Sequence, residues 1–111
     1  MNTELIQKIL GLIIIGVESD EWETIEFRYK ADDSQSEYTG SYVAAGEKKY
    51  FRARKLTSQQ KTELSELLRS LRNDVDDVGG EPFTHSTMFF NSNGEFRMEV
   101  SYDPIDWSAT T

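Results

Sequence analysis

Apolar residues recur along this chain with two periods, and each change of period marks a new element. Leu5, Ile6, Ile9, Leu10, Ile13 and Val17 follow i, i+3, i+4 spacing, which predicts a helix over 2–16. Leu12, Ile14 and Ile15 widen that stripe and predict burial on more than one side. Thr3 or Asn2 can cap its start, and Gly16 can stop it. From Trp22 to Ala31 the period falls to two. Ile25, Phe27, Tyr29 and Ala31 take the inward parity, while Thr24, Glu26, Arg28 and Lys30 take the outward one. Asp32-Asp33-Ser34-Gln35-Ser36 is turn chemistry and ends this strand. Glu37–Ala45 reads as a second strand, with Gly40 marking a possible bulge. Gly46-Glu47 turns the chain into a third strand over Lys48–Leu56.

Thr57-Ser58-Gln59-Gln60 is a capping box, because Thr57 and Gln60 can each satisfy the other's backbone N–H. Leu64, Leu67, Leu68, Leu71, Val75 and Val78 then form one helical stripe, stopped by Gly79-Gly80 and Pro82. The last third alternates again around Asn91-Ser92-Asn93-Gly94 and reads as a β-hairpin. A three-residue loop pairs Phe90 with Phe96 and Met88 with Met98. A two-residue loop at Asn93-Gly94 puts Phe83 and Phe89 on the core face instead. Both registers leave an apolar face, so the register stays open. Pro104 breaks the final strand, and Trp107 is expected to pack back on the domain.

Strands joined by short turns pair antiparallel, and one apolar face per strand calls for cover on one side only. Residues 1–111 are therefore expected to form a single α+β domain. It has an antiparallel sheet of about five strands and two helices on one face, in the order α-β-β-β-α-β-β.

Charge adds a second layer to this picture. The 111 residues carry a net charge of −8. It is segregated: residues 1–46 carry nine acids and three bases, residues 47–72 three acids and eight bases, and residues 73–111 eight acids and one base. Direct nucleic-acid binding is disfavoured, since phosphates would be repelled. The segregation has two readings. One is acidic regions held against a basic middle, and the other is an acidic surface that docks a basic protein. The absence of cysteine excludes disulfides and thiolate metal sites. The apolar run Ile9–Val17 is about half the length of a bilayer span, and no secretory signal is evident, so a cytoplasmic protein is expected.

Candidate chemistry is sparse. The single histidine, His85, has no serine or carboxylate partner at motif spacing and reads as a strand residue near Tyr102. Asp74, Asp76 and Asp77 begin like a calcium loop, but Val78 occupies a ligand position and His85 stands where the closing Glu belongs. No metal, no cofactor and no enzymatic activity are expected. Acids cluster at Glu18–Glu26, at Asp32, Asp33 and Glu37, and at Asp74, Asp76 and Asp77. Acids at a helix C-terminus oppose the helix dipole, which points to a role outside folding. On residues alone, three readings remain: a binder of a basic partner, an acidic interaction module or assembly subunit, and a small hydrolase working through paired carboxylates.

Glu81-Pro82-Phe83-Thr84, followed by Gly94, Phe96, Met98, Val100, Tyr102 and Asp103, resembles the C-terminal hairpin of the YezG-like antitoxin and immunity proteins. The apolar first helix followed by Glu21-Trp22-Glu23 is similar to the family's N-terminal pattern. Phe83 stands where the family often has Trp, and Ser86 replaces an apolar residue. The resemblance implies a non-catalytic immunity protein that neutralises a cognate bacterial toxin, commonly a nuclease delivered by secretion or cell contact. Such a partner would be basic, and the expected contact residues are Asp32, Asp33, Glu37, Asp74, Asp76 and Asp77.

Overall fold

A computed structural model describes residues 3–74 and 82–107 of the chain. Helix α1 spans Thr3–Ile15 and helix α2 Ser58–Asp74. The strands are β1 (Trp22–Ala31), β2 (Ser36–Ala44), β3 (Glu47–Tyr50), β4 (His85–Asn91) and β5 (Phe96–Ser101). They form one antiparallel sheet in the order β3-β2-β1-β4-β5, the α+β architecture that the periodicities predict.

The most regularly alternating strand, β1, lies at the centre. Its residues Ile25, Phe27, Tyr29 and Ala31 are buried together with Tyr42, Ala44, Met88 and Phe90 of its neighbours. The helices cover this face. Leu5, Ile6, Ile9, Leu12 and Ile13 of α1 and Leu64, Leu68 and Leu71 of α2 join the same core. The capping box forms as expected: Thr57 N donates to Gln60 Oε1 at 2.9 Å, and Gln60 N donates to Thr57 Oγ1 at 3.1 Å.

The hairpin takes the three-residue register. Phe90 pairs with Phe96 and Met88 with Met98, while Gly94 carries a φ of 95° and donates to Asn91 O at 3.0 Å. The positive φ favours glycine at this position. The β2–β3 hairpin turns at Ala45-Gly46, with φ of 53° and 76°, the sign pattern of a two-residue type I′ loop.

Several expectations are corrected. The third strand ends at Tyr50, and Ala53–Lys55 form a short 3-10 turn. The cause is Gly16: Arg52 N donates to Gly16 O at 2.9 Å, and Phe51 packs on the Gly16 backbone, so the chain leaves the sheet. Gly40 marks no bulge. It keeps register opposite Phe27, and a Cβ there would come 2.9 Å from the Phe27 ring and 3.1 Å from Phe51 Cβ. The irregularity in the β1–β2 pairing lies between Trp22 and Thr24 instead. Helix α1 is buried on one side only, with Ile14 and Ile15 exposed. The C-terminal part of the α2 stripe, Val75 and Val78, and its stop at Gly79-Gly80 lie outside the described residues, as does Asn2.

Candidate partner-binding surface

The face of the sheet opposite the helices is polar. Thr24, Glu26, Arg28 and Lys30 of β1 stand on it beside Thr39, Ser41 and Val43 of β2 and Thr87, Phe89 and Asn91 of β4. Short-range ion pairs neutralise much of its charge. Arg28 meets Glu26 at 2.9 Å, Lys30 approaches Glu37 at 3.9 Å, and Arg97 meets Glu99 at 3.1 Å while its guanidinium lies 3.9 Å from the centre of the Phe89 ring. Two shallow clefts, of about 560 and 470 Å³, open on this face.

Acids gather at the two ends of the sheet. At one end, the β1–β2 turn is built by Asp32. Its Oδ1 accepts from Ser34 N and Gln35 N, both at 2.8 Å, and from Ser34 Oγ at 3.0 Å. Its Oδ2 accepts from Trp107 Nε1 at 2.9 Å. Those two backbone donors, helped by the indole and the serine hydroxyl, pull the Asp32 carboxyl down to about pH 2. Trp107 thus packs back as expected, and Lys30 Nζ lies 5.3 Å from its ring centre. Between them, residues Asp103–Asp106 wall the larger cleft together with Arg28, Lys30, Thr39 and His85.

Two arginines of α2 fix this end from below. Arg69 Nη1 donates to Asp32 O at 2.8 Å. Arg72, only 6% exposed, donates through Nε to Phe83 O at 2.8 Å, and its Nη1 lies 3.6 Å from Asp33 Oδ1. Asp33 thus lies on Arg72 of α2, Glu37 follows it in β2, and Asp74 stands two residues beyond Arg72 at the end of the helix. All three are exposed, whereas Arg72 is buried and Lys30 and Arg69 are half-buried. Asp32 is also at this end, but its carboxylate already organises the turn. Asp76 and Asp77 lie outside the described residues.

The opposite end joins Glu47 and Glu95 to acids of the Glu18–Glu26 cluster, a grouping that the linear sequence does not show. The start of β1 meets the β2–β3 and β4–β5 turns there. Glu23 Oε2 accepts from Gly46 N at 3.2 Å, and Glu23 O accepts from Ser92 N at 3.0 Å. Asp20, Glu21, Glu23, Glu47 and Glu95 are exposed around this junction. Turn acids carry no periodicity, so only the pairing of distant strands reveals the grouping. The outward parity of β1 was legible, but the strands flanking it were not.

His85 stands at the start of β4, opposite Ser101. Its Nδ1 lies 3.0 Å from Thr84 Oγ1, which is 2.6 Å from Asp103 O and 3.0 Å from Ser101 O. A hydroxyl has one proton to give, so when it goes to a carbonyl the contact is satisfied by the tautomer that carries its proton on Nδ1. Among the described residues, no three His, Asp or Glu side chains converge to hold a metal ion, and no helix is long and apolar enough to cross a membrane.

As a class, the molecule is an acidic α+β domain that presents a polar sheet face between two carboxylate-rich ends. A family model for YezG-like immunity proteins matches residues 8–111, and the chain belongs to that family. Membership carries an immunity role and implies a cognate toxin as partner. No curated protein matches the chain.

Proposed function

We propose that this protein neutralises a basic toxin domain, a nuclease delivered by secretion or cell contact, by binding it in the cytoplasm without chemistry of its own. What supports this reading is the end of the sheet where exposed Asp33 and Glu37 stand over the buried Arg72 and half-buried Lys30, with exposed Asp74 two residues beyond Arg72 at the end of α2. The outward charge of this group is negative, because its acids are exposed and these bases are not. A nuclease holds its substrate with cationic side chains, so such a surface matches it electrostatically and speeds encounter. Asp76 and Asp77 follow Asp74 in the chain and belong to the same proposal. Asp32 contributes by holding the turn in shape.

The test is co-expression with the toxin domain encoded beside it, followed by charge reversal. Wild-type protein is expected to restore growth and to co-purify with the toxin. The triple variant Asp33→Lys, Glu37→Lys, Asp74→Lys is expected to fold normally and to weaken binding at least 100-fold. If that variant binds unchanged while reversal of Glu21, Glu47 and Glu95 abolishes binding, the interface lies at the opposite end. Failure of wild-type protein to rescue or bind overturns the function itself.

A further inference from the structure

The two edges of the described sheet are unlike. Strand β3 is four residues long and carries Lys48 and Lys49, features that discourage pairing with another chain. Strand β5 runs six residues, Phe96–Ser101, with no proline, and its Val100 is 37% exposed. The chain leaves β5 after Ser101 and crosses the polar face toward Asp32, so among the described residues those after Ser101, up to Trp107, do not cover this edge. Asn91 N donates to Glu95 O at 2.9 Å, which makes Asn91 and Glu95 a hydrogen-bonded pair. Such pairs alternate along an antiparallel ladder. The backbone groups of Arg97, Glu99 and Ser101 therefore point at β4, and those of Phe96, Met98 and Val100 point away from the sheet.

We infer that β5 is a self-pairing edge: two copies of this chain join β5 to β5, antiparallel, about a two-fold axis at Met98. The register follows from charge. Any antiparallel pairing must match the outward-pointing residues 96, 98 and 100 with one another. Centring on Arg97 sets Arg97 against its own copy, and centring on Glu99 sets Glu99 against its own copy. Centring on Met98 sets each Arg97 opposite a Glu99 on the polar face. On the helix-covered face it sets Met98 against Met98 and Phe96 against Val100. The Arg97–Glu99 contact within each strand is then exchanged for one between the strands, two in the dimer. The half-buried Phe96 and Met98 and the exposed Val100 gain the cover that the helices do not give them. The two sheets become one ten-stranded sheet. A six-residue edge alone falls short of the ~1,600 Å² of a standard interface, so the dimer forms with rising concentration. This inference is independent of the toxin reading.

Sedimentation of the full chain is expected to show a shift from 12.8 kDa toward twice that mass as concentration rises. Glu99→Arg is expected to keep the protein monomeric, and the exchange Arg97→Glu with Glu99→Arg to restore the dimer. Because the protein has no cysteine, Met98→Cys provides a second readout. At a hydrogen-bonded pair the two Cα atoms are about 5.5 Å apart, within disulfide reach. Mild oxidation should therefore cross-link Met98→Cys and leave Phe96→Cys, which faces Val100, largely uncross-linked. A Met98→Cys protein that does not cross-link, or a dimer that persists in Glu99→Arg, overturns the inference. So does loss of toxin capture in Glu99→Arg without any wild-type dimer, which would give the edge to the toxin.

Discussion

Asp32 shows how one carboxylate can be spent on architecture in a region rich in acids. Its two oxygens receive four hydrogen bonds, two of them from the backbone of its own turn. Charged acceptors make strong hydrogen bonds, so the folded state holds this group ionised at a pH where the unfolded chain would protonate it. The sign follows directly. The folded value is depressed, so the stabilisation is complete above the ordinary aspartate range. It is lost as pH falls through about 2. Between about pH 4 and 2, the urea midpoint of the wild type should fall more steeply than that of Asp32→Asn. The same substitution sets an amide N–H against Trp107 Nε1–H, and the indole NH resonance of Trp107 should shift. Ser86 presents the opposite case. It is buried on the helix-covered face, and its hydroxyl has no partner among the described residues. Burying an unsatisfied hydroxyl is costly, so Ser86→Ala should raise stability by about 1 kcal/mol in urea unfolding. A lowered midpoint would mean that the hydroxyl is bonded.

At the scale of elements, the sequence was legible where periodicity and capping act locally. The strand over Trp22–Ala31 and the capping box at Thr57 depend on near neighbours, and both stand as read. Thr57→Ala breaks the reciprocal pair and should cost about 1 kcal/mol, measured by thermal or urea unfolding. The third strand was misjudged because its end is set by Gly16, a residue 34 positions before Tyr50, whose carbonyl and bare backbone receive Arg52 and Phe51. The hairpin register was undecided because both registers bury phenylalanines, and the choice rests on the Gly94 turn geometry. Arg72 was invisible as a core residue, since an arginine on a helix reads as solvated. In the fold its stem is buried and its head ties α2 to Phe83 and to the Asp33 turn. Arg72→Ala should destabilise by about 2–4 kcal/mol, because it leaves the Phe83 carbonyl unpaired and removes packing.

At the scale of the molecule, the segregated charge resolves into a pattern that the linear sequence did not display. The basic middle segment places Arg69 and Arg72 beneath the Asp32–Asp33 turn and Arg52 beside Glu18. Arg69 and Arg72 offset acids from the inside, whereas Arg52 and the other bases of the segment, Lys48, Lys49, Arg54, Lys55 and Lys61, stay exposed. The sequence groups Asp32, Asp33 and Glu37, and separately Asp74, Asp76 and Asp77, by composition, but it does not show that Arg72 of α2 reaches the Asp33 turn. If steering by this charge drives association with a basic partner, salt acts on encounter more than on residence. Raising ionic strength from about 0.05 to 0.5 M should lower the association rate at least tenfold and leave the dissociation rate within about a factor of two, as read by stopped-flow or surface binding.

The position of β1 at the centre of the sheet bears on how the chain is made. Its partner on one side, β2, follows it after a tight turn, whereas β4 arrives only after the whole of α2. On a ribosome adding about 5–20 residues per second, the edge of β1 that β4 will cover waits several seconds for its neighbour. During that interval an apolar strand with unpaired backbone groups is open to other nascent chains. Changes that weaken α2 should therefore lower soluble yield during synthesis more than their effect on the finished protein's unfolding energy would indicate.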